Sequence, residues 1–369
     1  MRFSLSRDAL LAPLQVVQGV VERRQTIPIL ANVLLRAQDR VLSITGTDMD
    51  VELNAQVSLE EGEDGAITVP ARKFIDICRT AAPHTRIELV SKAGHATILS
   101  ARSRFVLTTL PAGDYPSTEH FEETATMRVK QGALRRLIEL TGFAMANQDV
   151  RYYLNGLLLE LAAWGLRVVA TDGHRLALAE HLMETNVGED IQQAIIPRKG
   201  VLELMRILTA GEEEVELAFS PHALQARFPS IRFTSKLIDG RYPDYRGVIP
   251  NPEKCDKIAI IDRDRLRQSL ARAAIIANEK QRVVRLLLAA EGLRIIGRNI
   301  DQEEAEEQLE AEYVGEPLEM GFNAGYLIEA IGAVPSETVE VYFTEANSSC
   351  LIRPEGRSDC QYVVMPMRL

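Results

Sequence analysis

Cysteine is scarce in this chain: Cys78, Cys255, Cys350 and Cys360 are the four among 369 residues, and no two form a CxxC pair. Thiols so few and scattered argue against a disulfide framework or a structural zinc site, and predict a reducing compartment. Long apolar runs are missing too. No stretch reaches 18 apolar residues, so no membrane-spanning helix is expected. The opening MRFSLSRDALLAPLQ carries Arg7 and Asp8 where a secretory leader needs an unbroken apolar core, which makes the cytoplasm the expected location. Positive charge is in deficit: 42 Lys and Arg against 52 Asp and Glu leave a net −10. An acidic chain does not bind nucleic acid tightly over its whole surface, so any polyanionic partner must meet a locally basic face.

Catalytic motifs are absent as well. There is no GxxxxGK[ST], HExxH, GxSxG or GxGxxG. Thr171-Asp172-Gly173-His174-Arg175 comes nearest, because an Asp can orient a His. No activated Ser or Cys motif accompanies it, and Asp-Gly between two apolar runs is first of all a hairpin turn. It reads as a turn or a pocket wall. The segment 301–319 holds nine acidic residues and no basic one, yet lacks the Gly-centred ligand spacing of a calcium loop. A solvated or interface-facing segment is expected there, with no metal and no cofactor.

What is present is an ordinary globular balance, 25% charged and 46% apolar, in a length that suits two or three domains of roughly 150 residues. Internal repetition organises it. Six segments carry apolar residues at helical spacing: Leu10, Leu14 and Val17, with Pro13 expected in the first turn; Phe74, Ile77, Cys78 and Ala81; Leu134, Leu137, Ile138 and Thr141; Val201, Leu204, Met205 and Leu208; Leu266, Leu270 and Ala273; and Leu327, Ala330, Ile331 and Val334. Their first positions step by 64, 60, 67, 65 and 61 residues. A longer period overlies this one. ITGTD (44–48) reads like VVATD (168–172) and IIGRN (295–299); TVPARKFIDI (68–77) like IIPRKGVLEL (195–204) and EMGFNAGYLIEAI (319–331). SRFVLTTLPAGDYP (103–116) matches IRFTSKLIDGRYP (231–243), and CQYVVMPMRL closes the third copy. Offsets of 124 to 132 residues imply three similar domains, 1–121, 122–249 and 250–369, separated at loops rich in Pro, Gly and acid. Short β-rich runs such as VLSIT, VELNAQVSL, GAITV, RIELV, ATILS, LRVVA and VEVYF fill the spaces. The expected fold class is α+β, each domain holding two helices on one face of antiparallel sheets.

The helix faces opposite the apolar stripes carry Arg72, Lys73 and Arg79; Arg135 and Arg136; Lys199 and Arg206; and Arg263, Arg267 and Arg272. One basic helix face is ordinarily a solvated one. Repeated along an acidic chain, such faces predict a segregated field, positive along the helices and negative elsewhere.

TDGHRLAL (171–178), DVRYYLNG (149–156), VPARKFIDICR (69–79), FTSKLIDGRYPDY (233–245), QEEAEE (302–307) and the closing YVVMPMRL resemble, over the whole chain, the bacterial DNA polymerase III β subunits, the sliding clamps. The resemblance implies a head-to-tail homodimer whose six domains close a ring around duplex DNA, a processivity factor with no chemistry of its own. It implies a sequence-independent, DNA-facing set of Arg24, Arg72, Gln148, Tyr152, Tyr153, Arg198 and Lys199. A pocket for short peptides of polymerase and clamp-loader subunits is implied at Leu154, Thr171, Gly173, His174, Arg175, Leu176, Pro243, Val248, Val363, Val364, Met365, Pro366, Met367, Arg368 and Leu369, extended by Asn323 and Tyr326. Gly247 departs from the family pattern, which often has Arg there, and leaves a rim contact in question. The implied dimer interface sets Lys73, Arg102, Arg104 and Leu107 of one copy against Ile275, Ile276, Glu303, Glu304, Glu306 and Glu307 of the other. Basic residues opposite acidic ones would fix which edges meet. The other function class is an enzyme on nucleotides or phosphoesters, which would show turnover and no dependence on DNA topology.

Overall fold

The computed structural model describes residues 1–21, 27–116, 121–185, 191–277 and 282–368. Arg24 and Leu369 lie outside them. The six helices are α1 (Arg7–Val17), α2 (Ala71–Thr80), α3 (Gln131–Thr141), α4 (Arg198–Ile207), α5 (Arg263–Ile276) and α6 (Ala324–Ala333). Each begins three residues before the first apolar position of its predicted stripe. Local signals set these starts. Ser6 accepts the Ala9 amide, Asp262 the Arg265 amide, and Asn323 those of Gly325 and Tyr326, so three first turns have side-chain caps.

Two details depart from the sequence reading. Pro13 is the seventh residue of α1, not part of its first turn. An interior proline costs about 3 kcal/mol. Burial of Leu10, Leu11, Leu14 and Val17 on one side of the helix outweighs it. In α2 the buried stripe is Ala71, Phe74, Ile75 and Cys78, with Ile77 only half-buried. Positions i, i+3, i+4 and i+7 counted from Ala71 fit the helix better than a count from Phe74.

The strands pair antiparallel into sheets of five, eight, nine and four strands. The chain packs as two compact units, residues 1–132 with 199–237, and residues 133–198 with 238–369. The five- and eight-stranded sheets belong to the first unit. In the larger one, Val51–Ser58 of the first repeat runs beside Ile231–Lys236 of the second, with Val51 opposite Ser235 and Ala55 opposite Ile231. Sheets of nine and four strands make up the second unit. There Arg175–Leu182 of the second repeat runs beside Cys360–Val364 of the third, with Leu176 opposite Val363. Sheets therefore cross from one repeat to the next, and this second junction carries the site.

A candidate partner groove and two sheet edges

In the second unit, strands Gly165–Thr171 and Arg175–Leu182 are joined by the predicted Asp-Gly turn. Asp172 Oδ1 accepts the amides of His174 (2.9 Å) and Arg175 (3.0 Å), and Gly173 has φ +86°. A Cβ at Gly173 would stand 2.8 Å from the Arg151 guanidinium, the end of a flexible side chain that can shift, so glycine is favoured here by the backbone conformation. The turn's Arg175 is clamped: its guanidinium meets Asp172 and Glu329, donates to Phe143 O at 2.9 Å, and lies 4.7 Å from the Tyr326 ring. His174 stacks on that ring, centroids 5.9 Å apart at 17°. The Thr171 hydroxyl in this turn is committed to Arg175 O and the Gly173 amide. The Asp172 carboxylate shapes the turn.

Leu176, Val363 and Leu154 form a floor, all under 5% exposed, continuous with Leu158, Val169 and Tyr242. Val364, also named for the pocket, is fully buried, but strand alternation turns it to the opposite face, so Val363 alone of the pair lines this cluster. Around the floor, Met365 and Val248 stand 43% and 49% exposed and Pro243 is exposed. The tail is docked by its backbone: the Met365 amide donates to His174 O (2.9 Å) and the Met367 amide to Gly321 O (2.8 Å). Pro366 and Met367 are half-buried and Arg368 exposed. Tyr326 lies beside the turn, against His174 and Arg175. Asn323 is instead committed to its capping role, accepting Gly325 N at 2.8 Å. Beyond Gly247 there is open space, so the rim lacks a side chain there and an arginine would fit unhindered. Tyr242 and Tyr245 escaped the sequence reading, although two tyrosines three apart in a Pro-containing loop signal an anchored loop. Tyr242 Oη accepts the Thr171 amide at 3.0 Å.

The DNA-facing set is dispersed. Arg72 is exposed at the second residue of α2. Arg198 opens α4 and donates to Met145 O at 3.4 Å. Lys199 is ion-paired to Asp48, whose carboxylate is almost wholly buried and also accepts the amides of Asp50 and Val51. Gln148 is exposed at φ +57°, and Tyr152, 56% exposed, meets half-buried Tyr153 edge-on at 5.6 Å. The uniformly positive helix faces need correction. Arg79 pairs with Asp76, Arg135 with Glu139, Arg136 with Asp359, Arg206 with Glu203, Arg263 with Asp264 and Arg272 with Glu307. Much of the helical charge is neutralised locally.

Each of the four sheets ends in edge strands among the described residues, and two of these edges lie at the residues expected to meet a second copy. Ser103–Thr108 is outermost in the five-stranded sheet and Glu304–Leu309 in the four-stranded one. Along the first, Leu107 is 8% exposed and packs inward, whereas Phe105 and Val106 are 37% and 47% exposed. The apolar surface there comes from Phe105 and Val106, not from the expected Leu107. Near the second edge Ile275 is 77% exposed and Ile276 half-buried. The acidic residues are not waiting unpaired: Glu304 meets Arg298, Glu306 meets Arg294, Glu303 meets Asn299, and Glu307 contacts Arg272 at 2.5 Å, which lowers its carboxyl pKa. Among the described residues Lys73, Arg102 and Arg104 make no ion pair.

The sequence matches the DNA polymerase III β subunit family along nearly its whole length: the N-terminal domain over residues 1–119, the central domain over 128–244 and the C-terminal domain over 247–368. The chain belongs to this family. A relative in Pseudomonas putida, named β sliding clamp, is 49% identical over 370 residues, with both chains fully covered. The crystal structure of the DNA polymerase III β subunit from Pseudomonas aeruginosa matches at 47% identity and a TM-score of 0.97, over 100% of both chains. A sliding clamp of the same organism bound to griselimycin matches at 47% identity and 0.95, again over both full chains. Each of the two sheet junctions described above sets a strand of one family domain beside a strand of the next.

Proposed function

We propose that this chain is a DNA sliding clamp for replication. Two copies close head to tail into a ring around duplex DNA, and the ring tethers polymerase and clamp-loader subunits through short peptides that enter the groove between Met365 and Val248. Three domains, 1–121, 122–249 and 250–369, give six in the ring. Arg24, Arg72, Gln148, Tyr152, Tyr153, Arg198 and Lys199 face the duplex, and the protein works in the cytoplasm without chemistry or cofactor of its own.

The observation that carries the reading is that two of the edge strands, Ser103–Thr108 and Glu304–Leu309, lie beside exposed apolar side chains, Phe105 and Val106 at the first and Ile275 at the second. An open strand recruits another strand through its unpaired N–H and C=O groups. Two different edges on one chain make a heterologous contact, and two copies satisfy both edges by closing on each other. Phe105 and Val106 against Ile275 supply apolar contact, and Lys73, Arg102 and Arg104 join acids of which Glu304, Glu306 and Glu307 already hold an arginine each and Glu303 holds Asn299. The groove supplies the second half. Its floor is apolar, its rim offers Met365, a polarizable side chain that adapts to different ligands, and its polar groups are occupied in holding the turn.

The test is retention. Clamp loaded on nicked circular DNA should stay bound through gel filtration in high salt and be released once the circle is linearised. Release at equal rates from circle and line, or turnover of a nucleotide or phosphoester, would replace the ring with an enzyme.

A further inference from the structure

A buried carboxylate stands behind the groove. Glu160 has no exposed side-chain area and sits in Gly156–Ala162, a strand buried at every residue. The register sets it opposite Gln193 on one side and Arg167 on the other, with Arg167 opposite Glu180. A polar row thus crosses the sheet on the same face as Leu158 and Val169 of the groove floor, two residues along. Gln193 donates to Glu160 Oε1 at 2.7 Å and Arg167 to Oε2 at 3.3 Å. The shortest bond comes from outside the sheet: the Tyr245 hydroxyl donates to Oε2 at 2.6 Å. Tyr245 belongs to the loop that carries Pro243 and Val248, and Tyr242 fixes the start of that loop to the Thr171 amide.

We propose that Glu160 is a positioning residue for the groove: through the Tyr245 hydroxyl it holds loop 242–248 at the height that sets the gap between Val248 and the Leu176–Val363 floor. This rests on the groove being the peptide site proposed above. Sheet cohesion does not need the arrangement, because Arg167 has Glu180 as a second carboxylate at 2.5 Å. The Tyr245 ring is only 4% exposed and would pack equally as phenylalanine. What the hydroxyl adds is the short tie to Glu160, supported by a 3.0 Å bond from Arg167 and standing beside longer 3.4 Å contacts from Arg246 of the same loop. Burial, with the carboxylate alongside, pushes Tyr245 up to about 12, so it stays a neutral donor at working pH.

Fluorescent griselimycin titrated by anisotropy into the full-length protein tests this. Tyr245→Phe should weaken binding about five- to tenfold, as for coupling between neighbouring sites, and speed amide exchange across 242–248. Glu160→Gln keeps an oxygen to accept the hydroxyl, and Gln193 can turn its amide to suit; it should bind within about twofold of wild type while melting lower than Tyr245→Phe. Affinity that follows melting temperature across the two variants, or wild-type binding by Tyr245→Phe, overturns the positioning role. Deletion of residues 365–369 separates the premises. Binding that survives this deletion, or is absent from the wild type, removes the groove reading itself. Binding abolished by the deletion but unchanged in Tyr245→Phe removes only the positioning role.

Discussion

Replacing Ile275 and Phe105 together by serine should convert the protein into folded monomers. Ile275 is 77% exposed in the single chain, and complete burial of such a side chain is worth about 1.5–3 kcal/mol, so covering the exposed part yields about 1–2 kcal/mol. Phe105, 37% exposed, adds about 1 kcal/mol by the same measure. A ring of two copies contains each edge pairing twice. The double substitution therefore removes about 4–6 kcal/mol from the closed dimer, or about three to four decades in Kd. Both side chains already face solvent in the single chain, so its own stability should change little. Sedimentation velocity over nanomolar to micromolar protein, with thermal melting as a control, reads the effect. A Kd that moves less than tenfold while the melt is unchanged would refute the edge pairing, as would a monomeric wild type at micromolar concentration.

Removing Arg72 and Arg198 should flatten the salt dependence of binding to linear duplex, by about 0.9 in log–log slope for each phosphate that is no longer neutralised. Lys199→Ala should do less, because Asp48 already holds that ammonium, and Asp48→Asn should steepen the slope by releasing it. Nanomolar affinity for linear DNA in physiological salt would defeat the topological account. Asp149, held down to about 2 by its hydrogen bonds from the Arg151 guanidinium and amide, lies below the usual 3.8. A depressed carboxyl stabilises above its unfolded pKa and ceases to do so as pH falls through the folded value. Amide exchange at 149–155 should accordingly rise between about pH 4 and 2, and lose that pH dependence in Asp149→Asn; an unchanged profile refutes the clamp. Burial pushes the thiols of Cys78 and Cys350 up to about 12 and that of Cys360 to about 11, and Cys255 is raised too. A thiol reagent at pH 8 should label the native protein slowly and the guanidinium-unfolded protein at once, and one fast-reacting native thiol would contradict this.

The helices are legible in the sequence because their stripes are local: six first apolar positions each fall three residues into a helix. What escapes is equally physical. Pro13 stands a turn deeper in α1 than expected, because no sequence signal marks Ser6 as the cap more strongly than its neighbours. Sheet partners are hidden altogether. Alternation along a strand tells which residues share a face and says nothing of which strand lies beside it. The pairing of Val51–Ala55 with Ile231–Ser235, far apart in the chain, leaves no periodic trace. In the groove the Asp-Gly turn is visible because its geometry demands those residue types. Docking of the tail is not, since Met365 and Met367 are held through backbone amides. Glu160 does leave a mark, a lone carboxylate inside the apolar run Gly156–Ala162. Such a residue is nearly always paired when buried.

Charge shows most clearly why composition alone misleads. Six of the arginines named on the helix faces are spent on carboxylates of the same chain, so counting basic residues overstates the attraction for phosphate. For an enzyme that must capture nucleic acid from solution, that neutralisation would be a defect. For a ring it has the opposite sense. Topology prevents escape, so phosphate contacts need only centre the duplex, and each additional strong contact would add friction to sliding. Weak helix charge, a net −10 and open strand edges therefore belong to one design. In the proposed ring the edges would carry the strength, because they hold it shut, and the lining would carry little, because DNA must pass.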